Sequence, residues 1–121
     1  MKLRIKGNSI RFRLTQSEVQ QLAAEGKVTE TLKLGPTLNY TIQKNDAAFI
    51  EASYKLNEIK INLPISITDN WVHSNKVSIE QTINGDGEDI LILIEKDFKC
   101  LKARPHEADM YPHPAEGTLA C

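Results

Sequence analysis

Alternation of apolar and polar residues with a period of two is the feature of this 121-residue sequence that most limits its fold. It is clearest at the start, where Leu3 and Ile5, and then Ile10 and Phe12, alternate with lysines and arginines on either side of a turn at residues 7–9. Successive side chains of a strand point to opposite faces. The segment therefore predicts a hairpin with one apolar face and one basic face.

A helical pattern interrupts the alternation after this hairpin. Thr15 and Glu18 have the spacing of a capping box, apolar residues follow at helical spacing, and Gly26 is a typical C-terminal stop. We expect one short helix from about Gln16 to Glu25.

The alternation then resumes in successive segments as far as residue 95, which predicts antiparallel strands with one solvated face. Residues 65–75 lack it and predict an irregular loop, or a helical turn near Asp69 to His73, with Trp71 as a buried anchor. Residues 89–95 are apolar on both faces, which predicts a central strand. The predicted fold is α+β: about eight strands in one strongly twisted, mostly antiparallel sheet that can curl toward a barrel, with one short N-terminal helix. We detect no internal repeat.

The composition changes after Phe98. Residues 99–121 contain three of the five prolines and little apolar periodicity. We expect a single domain over residues 1–98 and an irregular C-terminal tail over residues 99–121, either packed on the domain or partly disordered.

The charge balance excludes some classes of partner. The formal net charge is −1, so no overall field recruits nucleic acid or anionic lipid. No run of eighteen apolar residues is present, and the start lacks the apolar stretch of a signal peptide. These features predict a cytoplasmic protein without a membrane span. An uncurled sheet would leave edge strands that could pair in a homodimer.

The basic face of the first hairpin is the leading candidate site. Five cations would project from it: Lys2, Arg4, Lys6, Arg11 and Arg13. Such a surface can bind phosphate or carboxylate groups of a small molecule or protein partner. The alternative is an ordinary charged sheet face, paired with glutamates on neighbouring strands. No aromatic residues are interleaved with the cations, which disfavours nucleic acid.

The C-terminal tail holds a second candidate, the set Cys100, His106, His113 and Cys121. Two thiolates and two imidazoles suit tetrahedral zinc, and an iron site is also conceivable, but the short spacings of zinc knuckles are absent. A disulfide between the cysteines would need an oxidising compartment. The plainer interpretation is a structural cysteine, two exposed histidines and a loose terminal cysteine.

His73 is a third candidate, as a general base oriented by Asp69. No nucleophile elbow, phosphate loop or HExxH motif accompanies it. A histidine beside a tryptophan is more often a packing residue.

Four segments together resemble a family of small uncharacterised bacterial proteins: "MKLRIKGNSIRFRLTQSEV", "NWVHSNKVSI", "ILIEKDFKCL" and "EADMYPHP". The resemblance covers Met1 to about Pro114. It implies a bacterial, cytoplasmic, single-domain protein with no established activity, and it assigns no catalytic residue.

The sequence leaves the function open among three hypotheses. The leading one is a small, non-enzymatic binding or interaction module that uses the basic face, or the mouth of the curled sheet, for an anionic ligand or partner. A metal-binding protein with its site in the tail is the alternative, and a small enzyme built around His73 is a lesser one.

Overall fold

A computed structural model of the chain describes residues 1–85, 87–98 and 111. The described part is α+β and contains eight strands and two helices, in chain order: β1 (Lys2–Lys6), β2 (Ser9–Leu14), α1 (Gln16–Glu25), β3 (Lys27–Lys33), β4 (Thr37–Asn45), β5 (Glu51–Lys55), β6 (Glu58–Pro64), α2 (Ile65–Val72), β7 (Ser78–Gly85) and β8 (Glu88–Lys96).

The strands form two four-stranded sheets. Sheet A has the order β1-β2-β8-β7, and sheet B has the order β3-β4-β6-β5. In each sheet two antiparallel hairpins meet along a parallel pair of central strands, β2 with β8 and β4 with β6. The prediction of a single sheet is therefore wrong, while the prediction that most strands pair antiparallel is confirmed, since four of the six described pairings are antiparallel. The described strands do not close into a barrel. Alternation indicates which side chains share a face, but it does not specify which strands are neighbours.

Helix α1 has the predicted bounds. The backbone N–H of Glu18 donates to the Thr15 hydroxyl, and the Thr15 backbone N–H donates to the Glu18 carboxylate at 2.9 Å. Gly26 ends the helix with a φ of 80°, in the left-handed region that glycine adopts without steric cost. The capping box and the glycine stop are confirmed.

Helix α2 was expected only as a loop or a turn. It begins directly after Pro64, and its N-cap makes no side-chain hydrogen bond. Inside the helix, the Thr68 hydroxyl donates to the Pro64 carbonyl at 2.9 Å, and Trp71 is fully buried. Tertiary burial, more than a local start signal, stabilises this helix, which is why the sequence pattern did not predict it.

The chain repeats one topology twice. The order strand, strand, helix, strand, strand runs from β1 to β4 and again from β5 to β8, and each sheet joins a hairpin of one unit to a hairpin of the other. The register repeats as well, because Ser9 lies opposite Leu91 and the corresponding Glu58 lies opposite Asn39. Identical residues stand at a constant spacing in the two units: Lys6 and Lys55, Asn8 and Asn57, Ile10 and Ile59, Leu14 and Leu63, Ser17 and Ser66. No repeat was expected from the sequence, because these identities are too scattered to stand out before the topology is known. The structure corrects that expectation.

Two lysines play the same part in the two units. The ammonium of Lys44 donates to the Ala23 carbonyl at 2.8 Å, near the end of α1. The ammonium of Lys96 donates to the Ser74 carbonyl at 2.9 Å, just beyond α2. Each lysine therefore satisfies a carbonyl at a helix C-terminus, where a cation is favoured.

The inner faces of both sheets and the two helices share one hydrophobic core. Phe12, Leu14, Ile92 and Ile94 come from sheet A, and Val28, Ile42, Ile61 and Leu63 come from sheet B. Parallel pairing brings the two hairpin turns of each sheet to the same end, away from the helices. We call this the turn end of the molecule.

Candidate functional site

The five predicted cations all lie on the outer face of sheet A. They alternate along β1 and β2 with inward residues, of which Phe12 and Leu14 are fully buried in the core. The hairpin therefore turns its apolar side to the core and its basic side to solvent. We call the outer surface made by Lys2, Arg4, Lys6, Arg11 and Arg13 the basic face.

Like charges are paired directly across the hairpin of the basic face. Arg4 lies opposite Arg11 and Lys2 lies opposite Arg13, and the inward-facing pair Leu3–Phe12 separates these two pairs in the register. These four side chains, with Leu3, line a shallow cavity of about 220 Å³. Cations directly opposite one another destabilise a strand pair unless an anion lies between them. The two arginines also present guanidinium groups, whose geometry matches carboxylate and phosphate.

Carboxylates from the end of β8 neutralise part of this charge. Glu95 accepts from Nε of Arg13 at 3.0 Å and lies 3.4 Å from Nε of Arg11. Asp97 lies 3.1 Å from the ammonium of Lys2. Five cations thus face two carboxylates, and within the described part of the chain no carboxylate pairs with Arg4 or Lys6.

The outer face of sheet B provides an internal comparison, since its strands occupy the same places in the duplicated topology. Serine, lysine and asparagine stand there where sheet A has three arginines: Ser53 for Arg4, Lys60 for Arg11 and Asn62 for Arg13. The same sheet architecture thus forms without an arginine cluster. The cluster in sheet A therefore needs an explanation other than the requirements of the fold.

Hydrogen bonds between threonines and a glutamate organise the centre of the outer face of sheet B. The Thr41 hydroxyl lies 2.9 Å from that of Thr29 and donates to the Glu58 carboxylate at 2.7 Å. This hydrogen bond lowers the pKa of Glu58 below its ordinary value, and the nearby Lys60 acts in the same direction. The strands of sheet B contain lysines but no arginine, so this face lacks the guanidinium groups whose geometry matches carboxylate and phosphate.

His73 follows α2 and is exposed to solvent. Its Nδ1 lies 3.0 Å from the backbone carbonyl oxygen of Asp69, while the Asp69 carboxylate lies 3.8 Å from the ammonium of Lys44. The predicted Asp69–His73 carboxylate contact is therefore not formed. A general-base role for His73 stays a prediction without support from this geometry.

The tail candidates Cys100, His106, His113 and Cys121 lie outside the described residues, as does nearly all of the predicted tail over residues 99–121. Zinc binding by that set stays a prediction. Among residues 1–85, 87–98 and 111, no three histidine, cysteine or acidic side chains cluster as a metal site would require. In the same residues no helix is long and apolar enough to cross a membrane.

Sequence reasoning named the cations and expected glutamates on neighbouring strands to pair with them, but it did not single out Glu95. Residues 89–95, which became β8, were expected to form a central strand, but their neighbours were not predicted. The parallel pairing of β2 with β8 brings Glu95 beside Arg13, directly opposite in register. A parallel pair joins segments that are distant in sequence and carries no turn signal, so no local pattern could have revealed it.

Comparison with known proteins places the chain in a family but assigns no activity. The chain belongs to a family of unknown function (DUF7009), whose model matches residues 1–115. The predicted resemblance to an uncharacterised family is confirmed. No curated protein and no solved structure gives a significant match.

Proposed function

We propose that this protein is a small binding module that holds a phosphate- or carboxylate-bearing small molecule on the basic face of sheet A. The observation that carries the proposal is the cavity between the cross-strand pairs Arg4–Arg11 and Lys2–Arg13. An anion seated there would replace like-charge repulsion with charge-assisted hydrogen bonds. Arg4 would be the principal donor, because no carboxylate among the described residues pairs with its guanidinium group.

The character of the face favours a small anion over nucleic acid. The cations occupy two short strands, and the next strand presents the half-buried leucines Leu91 and Leu93 rather than aromatic rings. Recognition of single-stranded nucleic acid usually combines a basic groove with aromatic platforms for the bases. A compact ligand with two or more anionic groups fits the spacing of the cations better.

Calorimetric titration with pyrophosphate and with citrate at low ionic strength tests the proposal. The double variant Arg4→Ser/Arg13→Asn installs the residues of the corresponding positions in sheet B, and Glu95 keeps Arg11 as its partner. We expect at least about tenfold weaker binding in this variant, because hydrogen bonds to charged groups contribute about 1.5–3 kcal/mol each.

The matched control is Lys33→Ser/Lys55→Ser, which removes the same number of positive charges from the exposed outer face of sheet B. Its affinity should stay within about twofold of the wild type. Equal loss in both double variants would mean that only net charge matters. Undetectable binding of both anions to the wild type would also overturn the proposal.

A further inference from the structure

A second concave site lies between the two sheets, independent of the basic face. Its volume is about 430 Å³, and its lining comes from both sheets at the turn end of the molecule. Corresponding residues of the two units face each other across it: Ile5 with Tyr54, Ile10 with Ile59, and Leu38 with Ile90. The cavity thus lies where the duplicated halves meet.

Apolar side chains dominate this cavity, and none of its lining residues within the described part of the chain is charged. Fully buried Ile61 contributes to the lining, while Ile5 and Tyr54 are 60% and 69% exposed. Two of its polar side chains are already engaged, because Ser9 donates to the Lys6 carbonyl and Asn8 donates to the Asp89 carbonyl. An occupant would therefore meet hydrocarbon walls, with the hydroxyl of Tyr54 left to receive a single polar group.

A small side chain leaves part of this space open. Leu3 of the first unit corresponds to Ala52 of the second, and Ala52 lines the cavity. Leucine at position 52 would project three more carbon atoms into it. The volume of the cavity therefore depends on alanine at position 52. The same position of the first unit holds a leucine, so the topology does not require a small residue there.

The dimensions favour a small molecule over a protein partner. A cavity of about 150 Å³ holds benzene, so this one can take a hydrocarbon body of up to about eighteen non-hydrogen atoms. Twelve residues of the described ranges line it. A stable protein interface uses about 20–30 residues on each side. The lining is too small for that purpose, but it matches the size and apolar character of ordinary ligand pockets.

We propose that this cavity binds an uncharged, predominantly hydrocarbon small molecule, such as a medium-length alkyl alcohol or a fused-ring compound. Its body lies between the isoleucines of the two sheets, and one neutral polar group lies at the mouth near Tyr54. This site does not depend on the anion site, because the two lie on opposite faces of the β1–β2 hairpin.

Titration of the full chain with the neutral fluorophore N-phenyl-1-naphthylamine tests the proposal. The wild type should show saturable, one-to-one fluorescence enhancement. Ala52→Leu fills the cavity from sheet B and Ile90→Phe narrows it from sheet A, and each should weaken binding at least about tenfold, since less apolar surface of the probe is buried. Two variants from different sheets keep the test informative if one of them does not fold.

The control is Phe49→Ala, which removes a 78%-exposed aromatic residue outside the cavity lining and should leave binding unchanged. Dodecanol should displace the probe better than dodecanoate or dodecylamine. Non-saturable binding, unchanged affinity in both filling variants, loss of binding in Phe49→Ala, or preferred displacement by a charged competitor would each overturn the proposal. Arg4→Ser/Arg13→Asn should retain probe binding, so failure here is distinguishable from failure of the anion site.

Discussion

Replacing Leu56 by asparagine is expected to stabilise the protein, although Leu56 is one of its most exposed apolar residues. Leu56 and Asn57 form the two-residue turn between β5 and β6, with φ values of 52° and 61°. Both values lie in the left-handed region, which the turns favoured in hairpins of this length require. Leucine there meets a steric cost of about 1–2 kcal/mol, and asparagine tolerates the conformation better.

The expected gain in the free energy of unfolding depends on both the exposure of Leu56 and its backbone conformation. Leu56 is 93% exposed, so its removal sacrifices almost no buried surface. We expect Leu56→Asn to raise the free energy of unfolding by about 0.5–1 kcal/mol, which corresponds to roughly 2–5 °C in Tm for a domain of this size. The first unit has glycine at the corresponding position, Gly7, with a φ of 54°. A Cβ at Gly7 would meet no atom within 4 Å, so Gly7→Leu should cost about 1–2 kcal/mol, mainly through backbone strain.

Urea unfolding followed by circular dichroism measures both effects. Leu34→Asn is the matched control, because Leu34 is also an exposed leucine in a hairpin turn but is not among the positive-φ residues of the described chain. Its free energy of unfolding should change by less than about 0.5 kcal/mol. Equal stabilisation by Leu34→Asn, or a loss of stability in Leu56→Asn, would refute the assignment of the effect to the left-handed backbone.

Four further variants test local features of the fold. Thr15→Ala removes the capping box of α1 and should lower the urea midpoint by an amount equivalent to about 1 kcal/mol, and an unchanged midpoint would contradict the capping role. Lys44→Met and Lys96→Met should each cost about 1 kcal/mol, since each lysine donates to a carbonyl at a helix C-terminus, and a large cost in only one of them would argue against equivalent roles. The lowered pKa of Glu58 predicts stabilisation that is present above the ordinary glutamate pKa and is lost as the pH falls through the folded pKa. The stability difference between wild type and Glu58→Gln should therefore shrink on acidification, and a difference independent of pH would contradict the ionised hydrogen bond.

Local signals in the sequence predicted the local structure well. The Thr15–Glu18 capping box and Gly26 bounded α1 correctly, and alternation placed Phe12 in the core and the arginines outside. Helix α2 has no comparable start signal and depends on the burial of Trp71, which is a property of the assembled fold. A pattern confined to a few residues cannot report a helix that tertiary contacts stabilise.

Long-range pairing could not be predicted in the same way. The two parallel pairs, β2 with β8 and β4 with β6, split the strands between two sheets and create the contact of Glu95 with Arg13. For the same reason the sequence indicated the cations of the anion site but not their partial neutralisation. The cavity between the sheets was missed entirely, since its lining combines residues from both units.

Chemical-shift mapping with pyrophosphate on isotopically labelled protein tests the central claim most directly. We expect the largest shifts of backbone amide signals in β1 and β2, above all at Arg4 and Arg11. The side-chain Nε–H signals of these two arginines should shift as well. Corresponding positions in sheet B, Ser53 and Lys60, should move little. Shifts concentrated on sheet B or at the turn end, or no saturable shift at low ionic strength, would contradict an anion site on the basic face.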